Sequence, residues 1–523
     1  MDRCQVHPAS ITIVARDNTT DLLNQLDELK NQFSPFTSRR LERLLERLSR
    51  KKFNDTDSLV RYHEILLFLR AYPQSAAIVR TTAKEFRRFS DRIAFLIEND
   101  VDISPLQHPE ISGIAGTTVT DAFGFYIVRW LRRCFPAQVK TDWEWFENEN
   151  RLAETWPRFM PLLEEDVLVE ANVPYRKWLA AARKGRSELS WLVDRFDELP
   201  KPDKERAELY DSQQIYVSWK PRFNISRTGL RVASGKLFYH REPLIQRRDI
   251  DLGKELAAPP PKLHKLSLSQ GEKALDNARI ASTIRYRELY GFTHGDPKYV
   301  YRAELGRGVE LFLMGLPVEK RLPLRACHSA MIYKNGVPIG YFEGISLFER
   351  MESGFNLYYT FRDGETAWLY ARTLNVFHHF TGVRAFSLDP YQIGHENEEG
   401  IESGAFWFYR KLGFRPTRKD VLQLTLKEEE KIRTRQGYRT PAATLRKLAE
   451  SPMIFELDSE RVGDWDRFQI RNIGFRAQGV LSAEEKQALA QIAKAKASRE
   501  EVTYLRSIQK DERLRSLIIK LGS

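Results

Sequence analysis

Residues 355–414 limit what this chain can fold into more than any other stretch, because they read as strand, turn, helix, strand, loop and helix. Residues 355–361 are aromatic and β-prone, and residues 362–366 form a polar turn around Gly364. Between 367 and 380, Ala367, Ala371, Leu374 and Phe377 recur on one helical face, and Gly382 is placed to end that helix. Residues 383–388 supply a second strand. Residues 401–412 supply a second helix closed by Gly413, with Phe414 placed to fold back on it. A strand-helix-strand unit of this length favours parallel pairing through a right-handed crossover.

Upstream, residues 326–333 and 337–347 are apolar runs joined by Lys334, Asn335 and Gly336. An Asn-Gly pair between two such runs predicts a hairpin, since both central residues of a type I′ turn need positive φ. A helix is expected over 268–290. Residues 302–314 are mixed in pattern, and 349–354 form a short polar connection. A last strand is expected at 421–426.

Glu402, Ala405, Tyr409, Gly413 and Phe414 carry a resemblance. Their spacing resembles the motif that closes the acyl-CoA core of the GNAT superfamily of N-acyltransferases, where an Asn, an Ala, a Tyr and a Gly-Phe pair recur. Glu402 stands where Asn is usual. The resemblance covers roughly residues 270–425. It implies a mainly antiparallel sheet ending in a strand-helix-strand crossover. It also implies acetyl-CoA or another acyl-CoA as co-substrate, and no metal is expected.

The cofactor pyrophosphate would meet a helix N-terminus behind a glycine-containing turn, where unpaired N–H groups and the helix dipole favour an anion. Here that turn holds Phe361, Arg362, Asp363, Gly364, Glu365, Thr366 and Ala367. The family's turn resembles Arg/Gln-x-x-Gly-x-Gly/Ala. Phe361 takes the Arg/Gln place, Thr366 takes the Gly/Ala place, and Arg362 comes one residue late. Asp363 and Glu365 add negative charge, so an ordinary capped turn is the competing reading.

Acyl transfer to an amine needs a base, a stabilised oxyanion and an acid for the leaving thiolate. The resemblance implies that Tyr409 is the acid and that a backbone N–H on the Phe355 strand holds the thioester carbonyl. Glu343 is an acid inside an apolar strand, either the base or an outward-facing position. The loop with Asp389, Glu396, Glu398 and Glu399 is acidic in a basic protein. It is either an attractor for a cationic amine or a solvated loop. His395 within it has no metal-ligand spacing.

The rest of the chain offers organisation rather than chemistry. Its 523 residues exceed one ordinary core, and a net charge of +12 permits an anionic partner. Three scattered cysteines suit a reducing compartment, and no long apolar run is present, so a cytoplasmic protein is expected. Residues 20–100 read as arginine-rich helices, with Asp55 and Ser75 as caps and Leu41, Leu44, Leu45 and Leu48 as an apolar stripe. Aromatics between 143 and 163 read as core. Residues 215–219, 230–233 and 236–239 read as strands, and Pro259, Pro260 and Pro261 as a semi-rigid linker.

The expected fold is thus an α+β multidomain chain. It has a mainly helical N-terminal region over 1–210, a β-like segment and linker over 211–261, a GNAT-like mixed α/β sheet core over 262–426, and a helical C-terminal appendage over 427–523. The leading functional expectation is an acyl-CoA N-acyltransferase whose acceptor amine and oligomeric state are not indicated. The alternatives are a catalytically inactive GNAT-like binding or scaffold protein and a Fem-like aminoacyl-tRNA-dependent transferase.

Overall fold

The computed structural model describes residues 18–522 apart from 234, 323, 472, 481 and 484–509. Residues 482–485, Ser-Ala-Glu-Glu, resemble a capping box ahead of an Ala- and Lys-rich helix, and this expectation falls largely outside the described residues. Among the described residues the first five helices are α1 (Thr19–Leu29), α2 (Pro35–Ser49), α3 (Thr56–Ala71), α4 (Ala76–Phe86) and α5 (Phe89–Glu98). Leu41, Leu44, Leu45 and Leu48 of α2 are buried, and Arg39, Arg40, Arg43 and Arg47 are exposed, so the stripe faces the core and the arginines face water. Asp55 accepts a hydrogen bond from the Ser58 N–H at 2.7 Å, and Ser75 accepts one from the Ile78 N–H at 3.2 Å, which fixes the starts of α3 and α4.

A small antiparallel sheet follows, β1 (Val119–Asp121), β2 (Val139–Thr141) and β3 (Val217–Trp219), in the order β1-β3-β2. Around it lie α6 (Phe125–Cys134), α7 (Glu149–Thr155), α8 (Leu162–Ala171), α9 (Tyr175–Ala182), α10 (Glu188–Glu198) and α11 (Asp203–Gln213). Most of the aromatic run is core, with Phe146 and Trp156 buried and Trp156 stacked on Trp191 at a centroid distance of 5.2 Å, whereas Trp145 is exposed. Only part of the β-like pattern at 215–239 becomes strand. Val217–Trp219 finds partners on both sides, whereas no ladder takes up the described residues of 230–239.

The larger sheet has nine strands: β4 (Leu263–Lys265), β5 (Val300–Gly306), β6 (Val309–Met314), β7 (Ala326–Lys334), β8 (Val337–Leu347), β9 (Arg350–Leu357), β10 (Ala385–Leu388), β11 (Arg415–Pro416) and β12 (Met453–Glu456). Their order is β11-β12-β10-β9-β8-β7-β6-β5-β4. The β9–β10 pair is parallel and every other pair is antiparallel. The hairpin at Asn335 and Gly336 forms with φ of 50° and 78°, as a type I′ turn requires.

The helices that flank this sheet are α12 (Leu252–Ala257), α13 (Leu268–Thr283), α14 (Tyr290–Thr293), α15 (Thr366–Thr381), α16 (Glu398–Glu402), α17 (Ala405–Arg410), α18 (Lys419–Thr434) and α19 (Ala442–Ala449). The crossover from β9 to β10 runs through α15, as expected, but its first strand is displaced: the polar segment expected as a connection at 349–354 is strand because it ladders on β8, while 359–361 of the strand expected at 355–361 form a 3-10 turn. The strand expected at 421–426 is instead part of α18, with Val421, Thr425 and Glu428 buried along one helical face. The strand that closes the sheet comes from 453–456, inserted between β10 and β11.

Among the described residues the main hydrophobic core takes in side chains from Leu22 of α1 to Met453 of β12, and a second, smaller cluster gathers Leu347, Phe348, Ile454, Trp465 and Phe468. The proline segment is tied down as well, since Ala258 O accepts from Asn375 Nδ2 at 2.9 Å on α15. No helix among the described residues is long and apolar enough to cross a membrane.

Candidate functional site

The site begins with a mismatch of lengths in the sheet. β9 and β10 pair only from Arg350 to Glu352 against Ala385 to Ser387. β10 then ends at Leu388 and the chain turns away at Asp389 and Pro390. β9 continues to Leu357, with β8 on one side and a cavity of about 640 Å³ on the other. The Tyr358 N–H donates to Ile339 O at 2.9 Å, which sets the phase of the β8–β9 ladder. By strand alternation the main-chain N–H and C=O of Phe355 therefore point away from β8 and into the gap.

Side chains divide by the same alternation. Phe355 lies on the α15 face, its ring 5.2 Å from that of Tyr370. Asn356 lies on the opposite face beside Tyr341. Both line the cavity, which therefore reaches both faces of the sheet.

On the α15 face the cavity meets a helix N-terminus. The flanking residue Glu365 offers no side-chain cap, and the first intrahelical bond runs from the Leu369 N–H to Glu365 O. The N–H groups of Thr366 and Ala367 thus have no acceptor within the helix, and both residues line the cavity with Arg362, Asp363 and Gly364. The dipole end and free donors make this a place suited to an anion. Gly364 is required because a Cβ there would collide with the Tyr72 hydroxyl. Arg362 donates through Nε to Leu357 O at 3.2 Å and pairs with Glu399, while Asp363 pairs with Lys30 at 3.0 Å.

Two residues of the expected turn lie elsewhere. Phe361 is buried in the core and does not line the cavity. Glu365 is wholly buried, 2.5 Å from Arg307 and 3.3 Å from Lys334. Lys334 also donates to Arg307 O at 2.7 Å, and burial, opposed by Glu365, brings its ammonium down to about 8. The carboxylate of Glu365 is thus spent on anchoring the turn to the β7–β8 hairpin and is compensated there.

Tyr409 comes from the other side of the cavity. The helix expected at 401–412 is split into α16 and α17 at Gly404, whose φ is +67°. Gly413, at φ +101°, then ends α17, and the Phe414 N–H returns to Tyr409 O at 3.2 Å. The Tyr409 ring is edge-on to Tyr370 and to Phe414. Its hydroxyl makes no hydrogen bond to another described residue, and burial raises it well above the usual phenol range, so it stays protonated.

Glu343 sits opposite Gly354, on the same face as Tyr341 and Asn356, but does not line the cavity. Burial raises its carboxyl. The acidic loop is largely committed: Glu398 pairs with Arg446 at 2.8 Å, Glu399 with Arg362, and Asp389 with Arg471 at 3.4 Å. Sequence reasoning missed Asn31, Gln246, Arg247, Arg287, Asn356 and Gln392, which also line the cavity. They come from separate segments with no shared spacing. Asn356, a polar residue between the apolar Phe355 and Leu357, is the one with a local signal. Among the described residues no group of three or more His, Cys, Asp or Glu is arranged to hold a metal ion.

No family model matches this chain, and neither a curated protein nor a solved structure matches it.

Proposed function

We propose that this protein is an acyl-CoA-dependent N-acyltransferase, acetyl-CoA being the first donor to test. The observation that carries the reading is the second half of β9, whose edge away from β8 has no strand partner. It opens a gap in the sheet where Phe355, whose main chain has no strand partner on that side, the α15 N-terminus and Tyr409 share one cavity. The N–H groups of Thr366 and Ala367 would receive the pyrophosphate, and the extended pantetheine arm would run along the open edge of β9. The Phe355 N–H would hold the thioester carbonyl oxygen as it gains charge during attack. Tyr409 would protonate the departing thiolate. Glu343, on the acceptor face but off the cavity wall, would take the amine proton through water.

The sheet order supports this reading, since the single parallel pair falls at the crossover that the resemblance implies. The competing reading, a binding module of the same fold, has the commitment of Arg362 to Glu399 on its side.

Calorimetric titration of the full chain with acetyl-CoA and a longer acyl-CoA separates the two. Binding of either, followed by amine-dependent release of CoA thiol in a screen, is the expected result. No binding at millimolar concentration removes the enzyme reading.

A further inference from the structure

The far end of the cavity, on the sheet face opposite α15, has an electrostatic character that the transfer chemistry does not explain. Arg287 lines it. Its Nη1 donates to the Tyr341 hydroxyl and its Nη2 to Glu110, each at 3.1 Å, which leaves the rest of its donor fork unused by described residues. Tyr358 directly follows the cavity-lining Leu357, and Arg285 lies on its ring at 3.9 Å. Arg285 and Arg227 are both 3% exposed. Arg227 pairs with Glu64 at 2.6 Å.

Three guanidiniums, Arg227, Arg285 and Arg287, therefore stand against two carboxylates, Glu64 and Glu110. Nε and Nη1 of Arg227 and Nε of Arg285 are buried without a hydrogen-bond partner. A buried cation without a counter-charge is costly, and a low-dielectric surround carries its field into the adjoining cavity. A protonated amine alone would be repelled there. A molecule that also carries an anion would be drawn in, with its anion on the Arg287 fork and its amine toward Phe355.

We propose that the acceptor is an amine that also bears a carboxylate, seated on Arg287 with Asn356 and Gln392 beside it. A carboxylate is chosen because its two oxygens match the parallel N–H pair of a guanidinium. This rests on the acyltransferase reading for the direction in which the amine points, but the anion seat can be measured separately.

The test is calorimetry on the full chain, with and without saturating CoA. The titrants are a panel of amino acids, each paired with the amine that lacks the α-carboxylate, phenylalanine with 2-phenylethylamine for example. At least one carboxylated member should bind tenfold or more tightly than its counterpart. That preference should collapse in Arg287→Gln with CoA affinity unchanged. Glu110→Gln removes the negative charge that competes for Arg287 and should tighten the carboxylated member, a change of opposite sign that a misfolded variant would not give. If no carboxylated member outbinds its counterpart, or if the preference survives Arg287→Gln, the proposal is wrong. A carboxylate preference without CoA binding would retain the anion seat and remove the acyltransferase reading instead.

Discussion

The ring of Tyr409 stands edge-on to the ring of Tyr370, with centroids 5.5 Å apart. Tyr370 is itself fixed, because its hydroxyl shares a 2.9 Å hydrogen bond with Ser353 Oγ on β9. The phenol proposed as the acid is thereby braced against the strand proposed to hold the thioester. Its place depends on ring packing rather than on a hydrogen bond of its own hydroxyl.

Tyr409→Phe should preserve that packing and remove only the proton. CoA affinity by calorimetry should stay within about twofold, while thiol release with an accepted amine should fall ~100-fold or more, the lower end for a general acid. An unchanged rate would remove Tyr409 from the acid role.

The α15 N-terminus can be tested without disturbing the core if the right residue is chosen. Thr366→Glu puts a carboxylate where the pyrophosphate would sit and should weaken acetyl-CoA binding at least tenfold with Tm unchanged. Gly364→Ala instead drives a methyl into the Tyr72 hydroxyl and should destabilise the fold by about 1–3 kcal/mol. Parallel thermal melts and titrations of the two variants check the distinction.

Glu365→Ala leaves Lys334 and Arg307 facing each other without their counter-charge. Removing one partner of a buried ion pair costs about 3–5 kcal/mol, so urea unfolding should show a loss of that size. Adding Lys334→Met should return part of it. A variant as stable as the parent would mean that water or a rearrangement compensates the two cations.

Acid should loosen this protein through its buried histidines. In the unfolded chain His328 gains a proton near 6.5, while in the fold, where its Nε2 shares a hydrogen bond with Ser346 Oγ, burial delays protonation to about 4. Between those values the unfolded chain binds more protons, so this contribution is whole above pH 6.5 and is lost as pH falls toward 4. The loss amounts to roughly 3 kcal/mol. Denaturation midpoints between pH 7 and pH 4 should show it, and His328→Asn should flatten the slope. Equal slopes in the two proteins would assign the acid sensitivity to other groups.

Much of the scaffold was legible along the chain because its signals are local. Asn335 and Gly336 favour a type I′ turn through their own tolerance of positive φ, Asp55 and Ser75 cap the helices that directly follow them, and Gly413 with Phe414 closes α17 within a single turn of backbone. The misreading at 421–426 has a local cause too. Alternating apolar residues fit a short strand, but burial of Val421, Thr425 and Glu428 on one face decided for helix.

By itself the sequence determined the hairpin, the β9–α15–β10 crossover and the positions of Tyr409 and the Gly364 turn along it, since each rests on neighbours a few residues apart. Only the tertiary structure decided that β10 stops pairing with β9 after Ser387 and so leaves Phe355 facing a gap. It alone turned Glu365 inward to Lys334 and Arg307 and left Glu343 off the cavity wall. It also brought Arg287, Arg285 and Arg227 to one place beside that gap. The physical reason is that strand length, burial and net local charge are properties of what surrounds a residue. For these residues the surroundings come from segments tens to hundreds of positions away.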